Sequence, residues 1–121
     1  MQTLKDKGLD ENTLVIFTSD NGGANYIGMP DVNKPYRGFK LSFFEGGTHV
    51  PFIMRWPGKL PAGRSYAHPI SHLDILPTAL GAAKAAPQAG LIDGVNLLPY
   101  VTGRKTGAPD VQLAAAAADR D

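Results

Sequence analysis

The sequence predicts an α/β fold with a sheet flanked by helices, and three observations carry that expectation. The run Thr13-Leu14-Val15-Ile16-Phe17-Thr18 is continuous rather than alternating, the pattern of a strand covered on both faces. A helix end precedes it across a short loop, the order of elements that suits a parallel sheet flanked by helices. A second strand-like run, Val50-Pro51-Phe52-Ile53-Met54-Arg55-Trp56, follows after a long irregular segment.

The elements follow in chain order. Met1-Gln2-Thr3-Leu4 reads as a helix already under way, without the basic start and apolar stretch of a secretory signal. Leu4 to Leu9 reads as its last turn, with Gly8 at the left-handed position and Leu9 folding back towards Leu4. A domain opening on a helix end is expected to have its beginning elsewhere. Asp10-Glu11-Asn12 is a turn, and Ser19-Asp20-Asn21-Gly22-Gly23 stops the first strand. Ala24 to about Tyr36 reads as an ordered but irregular loop. Pro51 fits only the start or the edge of the second strand, which Pro57 to Gly63 ends. A helix is expected after a capping Asp74, with Pro77 in its first turn and Leu76, Ala79, Leu80 and Ala83 on one apolar face. Ala82 to Gly90 reads as a linker, and Gly94 to Gly103 as a compact apolar segment. Residues 1–103 are read as one portion of a larger domain. Residues 104–121 are read as a poorly ordered or helical Ala-rich tail, because Ala114 to Ala118 favour helix but offer no large apolar face.

Composition narrows the function. With 43% hydrophobic and 19% charged residues and a net charge of +1, the chain reads as one soluble globular unit, with neither nucleic acid nor membrane as its expected partner. No apolar run approaches the ~18 residues of a spanning helix. The absence of cysteine excludes a disulfide framework, a thiolate zinc site and a cysteine nucleophile within these residues.

Asp20-Asn21 is the first chemical candidate, because ligands in open α/β sheets bind beyond the carboxyl ends of strands. Its hard oxygens suit calcium or magnesium. On spacing alone, the plainer reading of Asp20-Asn21-Gly22-Gly23 is a tight turn. Lys40, between aromatic residues and glycines, can present a compact ammonium to an oxyanion. Arg37 can serve the same anion or pair with Glu45, and Glu45 can act as acid or base or cap backbone amides. His49 can line the cleft of Lys40, although an ordinary hydrogen-bonded histidine is the plainer reading. His68 and His72 have the spacing of helical metal ligands but fall before the helix proper. Neither glycine pair makes a phosphate loop, and no G-x-S-x-G elbow is present.

Six segments together carry a resemblance. Asn12 to Gly22, Arg37-Gly38-Phe39-Lys40, Glu45 to Ile53, Arg55-Trp56-Pro57-Gly58, Asp74-Ile75-Leu76-Pro77-Thr78 and Leu97-Leu98-Pro99 resemble the sulfatases of the arylsulfatase type, within the alkaline-phosphatase-like superfamily. The resemblance covers about residues 3 to 103 and the C-terminal part of the catalytic domain. It implies hydrolysis of a sulfate ester, with Asp20 and Asn21 holding a divalent metal, usually calcium, and Lys40 contacting the substrate sulfate. The family's nucleophile is a formylglycine made from Cys or Ser in a C/S-x-P-x-R motif. None of Ser19, Ser42, Ser65 and Ser71 begins such a motif, so the chain is expected to hold no catalytic nucleophile and to turn over little or nothing alone. The implied substrate is a sulfated small molecule or carbohydrate ester, and the implied location is periplasmic, extracellular or lysosomal. Two other readings stand beside it: a phosphatase or phosphodiesterase of the same superfamily, and a non-catalytic anion- or glycan-binding module.

Overall fold

The structure is a computed structural model that describes residues 1–86 and 90–109. The expected tail from 110 onward and the middle of the expected Ala82–Gly90 linker lie outside the described residues. The chain divides into two compact units, residues 15–55 and residues 1–14 with those from 56 onward. Among the described residues no helix is long and apolar enough to cross a membrane.

The unit of residues 1–14 and 56 onward begins with helix α1 (Gln2–Asp6). The Gly8 amide donates to the Lys5 carbonyl and the Leu9 amide to the Leu4 carbonyl, both at 2.9 Å, while Gly8 sits at φ +67°. This is the helix stop expected from Gly8 and Leu9, since only glycine adopts that backbone without steric cost. The Trp56 indole donates to the Glu11 carbonyl at 2.9 Å and ties the two stretches of this unit together.

Helix α3 (Ile75–Ala82) starts as expected, but its capping and its buried face do not follow the sequence reading. Ser71 caps the single turn His72–Asp74 that leads into α3: its hydroxyl accepts from the Leu73 amide while Asp74 accepts from the Ser71 amide at 2.8 Å. The other Asp74 oxygen accepts from the Val95 amide, also at 2.8 Å. Asp74 holds the N-cap position of α3 as expected, but its buried carboxylate makes no capping bond to that helix and clamps two segments instead. The helix buries Pro77 and Thr78 and leaves Leu76, Ala79 and Ala83 exposed, opposite to the apolar-face expectation. Thr78 can be buried because its hydroxyl accepts the Leu97 amide at 2.9 Å, a bond whose net contribution is about 0.5–1.5 kcal/mol. Leu97, just before helix α4 (Leu98–Val101), is fully enclosed. The Tyr66 hydroxyl donates to the Gly107 carbonyl at 3.1 Å. Burial, then Tyr100 and Asp74, hold its phenol above the usual range.

The unit of residues 15–55 holds strands β1 (Val15–Thr18) and β2 (Phe52–Arg55) and the short helix α2 (Glu45–Thr48). The strands pair antiparallel, with Val15 opposite Arg55, Ile16 opposite Met54, Phe17 opposite Ile53 and Thr18 opposite Phe52. The parallel arrangement expected from the sequence is not the one this pair adopts. A parallel pairing needs a crossover of a dozen or more residues, usually a helix, whereas residues 19–51 contain only short helical turns. Cover on both faces is also incomplete: Phe17 and Ile53, facing each other across the ladder, are 60% and 57% exposed.

Candidate functional site

The site lies wholly within residues 15–55 and is shaped by backbone contact between glycines. As strand β1 ends, the Gly22 amide donates to the Gly47 carbonyl at 2.9 Å, and the Gly46 amide donates to the Arg37 carbonyl at 2.7 Å. A Cβ on Gly22 would fall on the Gly46 carbonyl oxygen, 2.7 Å from its carbon. Three chain segments meet here at a distance only glycine allows.

Asn33 closes the loop over this contact. Its Oδ1 accepts the Gly23 amide at 2.7 Å, and its Nδ2 donates to the carbonyls of Gly23 at 2.8 Å and Gly38 at 3.1 Å. Sequence reasoning did not single it out. In a loop rich in Asn, Gly and Pro, no local pattern separates this asparagine from Asn25.

Lys40 is placed by its main chain, its amide donating to the Gly23 carbonyl at 3.1 Å. It lies in the turn Phe39-Lys40-Leu41-Ser42, closed by the Ser42 amide on the Phe39 carbonyl at 2.9 Å and by the Phe39 amide on the Ser42 hydroxyl at 3.0 Å. The third residue, Leu41, has φ +77° and is 88% exposed. That position favours glycine, and the leucine side chain recovers almost no burial there. Leu41→Gly is expected to stabilise the chain by about 0.5–1 kcal/mol. Relief of ~1–2 kcal/mol of left-handed strain is offset by ~0.4–1 kcal/mol of added unfolded-state entropy. Chemical denaturation of the two chains checks it.

Asp20 and Asn21 stand at the carboxyl end of β1, as expected. The Asp20 Oδ1 accepts both the Asn21 amide at 3.0 Å and the Asn21 Nδ2 at 2.9 Å. The second Asp20 oxygen and the Asn21 side-chain carbonyl make no hydrogen bond among the described residues. These are two hard donors of the type calcium or magnesium takes, but such ions take six or more. Among the described residues no group of three or more His, Cys, Asp or Glu side chains could hold a metal ion. The donor chemistry fits a hard dication, and the remaining ligands would have to come from other residues.

A cleft of about 570 Å³ includes Asn21, Lys40, Tyr26, Tyr36 and His49 in its walls. The metal candidate Asn21 and the sulfate candidate Lys40 thus face one space. Asp20 is exposed but not part of the wall. His49 does line the cleft of Lys40, stacked on Tyr36 with ring centroids 4.3 Å apart, its Nδ1 3.5 Å from the Glu45 carboxylate. Glu45 is the first residue of α2, whose N-cap position is Phe44. Arg37 does not pair with Glu45. Its guanidinium lies 4.0 Å above the Phe44 ring, where the π face attracts the cation. His68 tilts against Tyr66, in the other unit, at 5.3 Å between ring centroids.

A protein-family model described as Sulfatase matches residues 1–85. The uncharacterized sulfatase YdeN of Escherichia coli K12 is 41% identical over 114 residues, 93% of this chain and 20% of that protein. N-acetylgalactosamine-6-sulfatase of Canis lupus familiaris is 42% identical over 107 residues, 85% of this chain and 20% of that protein. Among solved structures, Ps i-CgsB in complex with k-i-k-neocarrahexaose is similar with a TM-score of 0.73 and 38% identity, covering 81% of this chain and 22% of that one. The chain spans about a fifth of the length of the curated relatives it matches.

Proposed function

Given that this chain belongs to the sulfatase family, we propose that it forms part of an enzyme that hydrolyses sulfate esters, releasing an alcohol and sulfate. Its fold is the alkaline-phosphatase-like α/β fold of its structural neighbours, here a two-stranded sheet with helices. The observation that carries the proposal is the shared cleft: Asn21 and Lys40, read separately from the sequence, wall one space, with Asp20 next to Asn21 in the chain.

Lys40 binds the ester's sulfuryl oxygens through its ammonium, and the turn of Phe39 to Ser42 fixes its main chain. Asp20 and Asn21 supply two of the oxygens for a divalent metal, calcium by preference, completed by ligands outside the described residues. Such an ion supplies electrostatic stabilisation of the charge that develops as the ester breaks. The nucleophile, a formylglycine formed from a C/S-x-P-x-R segment, lies outside these residues, because no cysteine and no serine in that motif occurs here. The substrate is a sulfated small molecule or carbohydrate ester. Relatives named as sulfatases and a neighbour in complex with k-i-k-neocarrahexaose support this.

The test is the intact enzyme that contains this chain, assayed on 4-nitrophenyl sulfate and 4-nitrophenyl phosphate. Sulfate hydrolysis is expected to dominate, and a chelator is expected to lower it, with calcium restoring it. Preference for the phosphate ester would overturn the assignment.

A further inference from the structure

We propose that Asn21-Gly22 is a self-modifying site, whose conversion to aspartate and isoaspartate is held off by the main-chain contact between Gly22 and Gly47. The inference goes beyond the reading of the intact enzyme and holds whether or not Asn21 carries a metal.

Asparagine is thermolabile, and most so where the next residue has no side chain to shield its amide nitrogen. Asn21 alone among the asparagines of the sequence precedes glycine; Asn12, Asn25, Asn33 and Asn96 precede Thr13, Tyr26, Lys34 and Leu97. In the reaction the Gly22 nitrogen gives up its proton and bonds to the Asn21 Cγ. The bond from Cγ to Nδ2 breaks, and ammonia leaves with that proton. Water then opens the cyclic imide at either carbonyl, giving aspartate by one route and isoaspartate by the other. No oxidant or cofactor takes part.

The fold blocks the first step. Gly22 is buried, and its amide donates to the Gly47 carbonyl at 2.9 Å, so the nitrogen is not free to turn its electron pair on Cγ. Main-chain atoms of Gly46 and Gly47 crowd Gly22 closely enough that it cannot rotate without parting the segments. The leaving nitrogen is held as well, the Asn21 Nδ2 donating to the Asp20 Oδ1 at 2.9 Å. Asn33 braces the next residue through its two bonds to Gly23. Local opening of residues 15–55 is therefore the step that releases the reaction.

The product does not close again. Isoaspartate routes the main chain through the side chain and adds one methylene, about 1.5 Å, just before Gly22. The Gly22 amide then loses its register with the Gly47 carbonyl. The new carboxylate also stands next to Asp20 in the chain. Each opening that reacts is recorded, and its molecule is withdrawn from the folded population.

The 121-residue chain, kept at mildly alkaline pH with and without urea, tests this. Peptide mass spectrometry follows the exchange of NH2 for OH at Asn21. Mass also keeps that signal apart from Asp93-Gly94, whose isomerisation changes none. Conversion at Asn21 is expected to be at least tenfold slower in buffer than in urea. Asn33→Ala, which loosens the loop and leaves Asn21 and Gly22 in place, is expected to speed conversion at least threefold in buffer and not in urea. Circular dichroism confirms the folded sample; where the chain alone does not fold in buffer, the intact enzyme that contains it, with a chelator present, takes its place. Equal rates in the folded sample and in urea would overturn the guard, and no conversion in urea would overturn the site.

Discussion

Gly22→Ala is expected to destabilise the unit of residues 15–55 by more than about 4 kcal/mol, the range reached only when a substitution has no room to relax. The new methyl would fall on the Gly46 carbonyl oxygen, with the Gly46 carbon at 2.7 Å and the Gly47 Cα at 3.0 Å. All three are main-chain atoms, so no side-chain rotation can relieve the clash. Separating the segments would break the bond from the Gly22 amide to the Gly47 carbonyl and release α2 from the end of β1. Gly58→Ala is the matched control. Gly58 has φ +71° and open space around it, so that change carries only left-handed strain of about 1–2 kcal/mol. Hydrogen exchange of the amides in residues 15–55 reads the difference, and equal protection in the two variants would refute the steric account.

Lys40→Ala is expected to lower kcat of the intact enzyme on an aryl sulfate by about 10²–10³, the effect of removing one preorganised charge-stabilising group, ~2.7–4 kcal/mol. The loss should appear in the chemistry rather than in the fold, because the hydrogen bond that positions this residue comes from its main-chain amide. Lys40→Arg is not expected to restore full activity: a planar fork does not replace a compact ammonium in a turn built around it. Steady-state kinetics with thermal melting of each variant separates the two effects. An unchanged kcat in Lys40→Ala would remove the sulfate role.

Much of this was legible in the sequence where the signal is local. Gly8 and Leu9 define a helix stop through main-chain geometry alone, and the two apolar runs place the strands to within two residues. Asp20, Asn21 and Lys40 were singled out by residue type, and the roles proposed for them come from a resemblance to a family. That Asn21 and Lys40 share a cleft only the fold could reveal. What was missed depends on partners distant in the chain. The pairing direction of β1 and β2 is decided by the path of residues 19–51. The burial of Thr78 depends on an amide nineteen positions on, and the position of Asp74 on a second acceptance from Val95. Asn33 joins Gly23 to Gly38 through three hydrogen bonds that no pattern of period two or 3.6 encodes.

The open side of the strand ladder bears on how long such a chain survives in a cell. Covering the exposed part of Phe17 and Ile53 is worth about 1–2 kcal/mol for each residue, against the ~5–15 kcal/mol that separates a folded protein from its unfolded forms. With this pair wetted, the population of opened molecules rises, and proteases and chaperones sample that population first. Whatever covers this pair therefore lengthens the lifetime of the unit of residues 15–55.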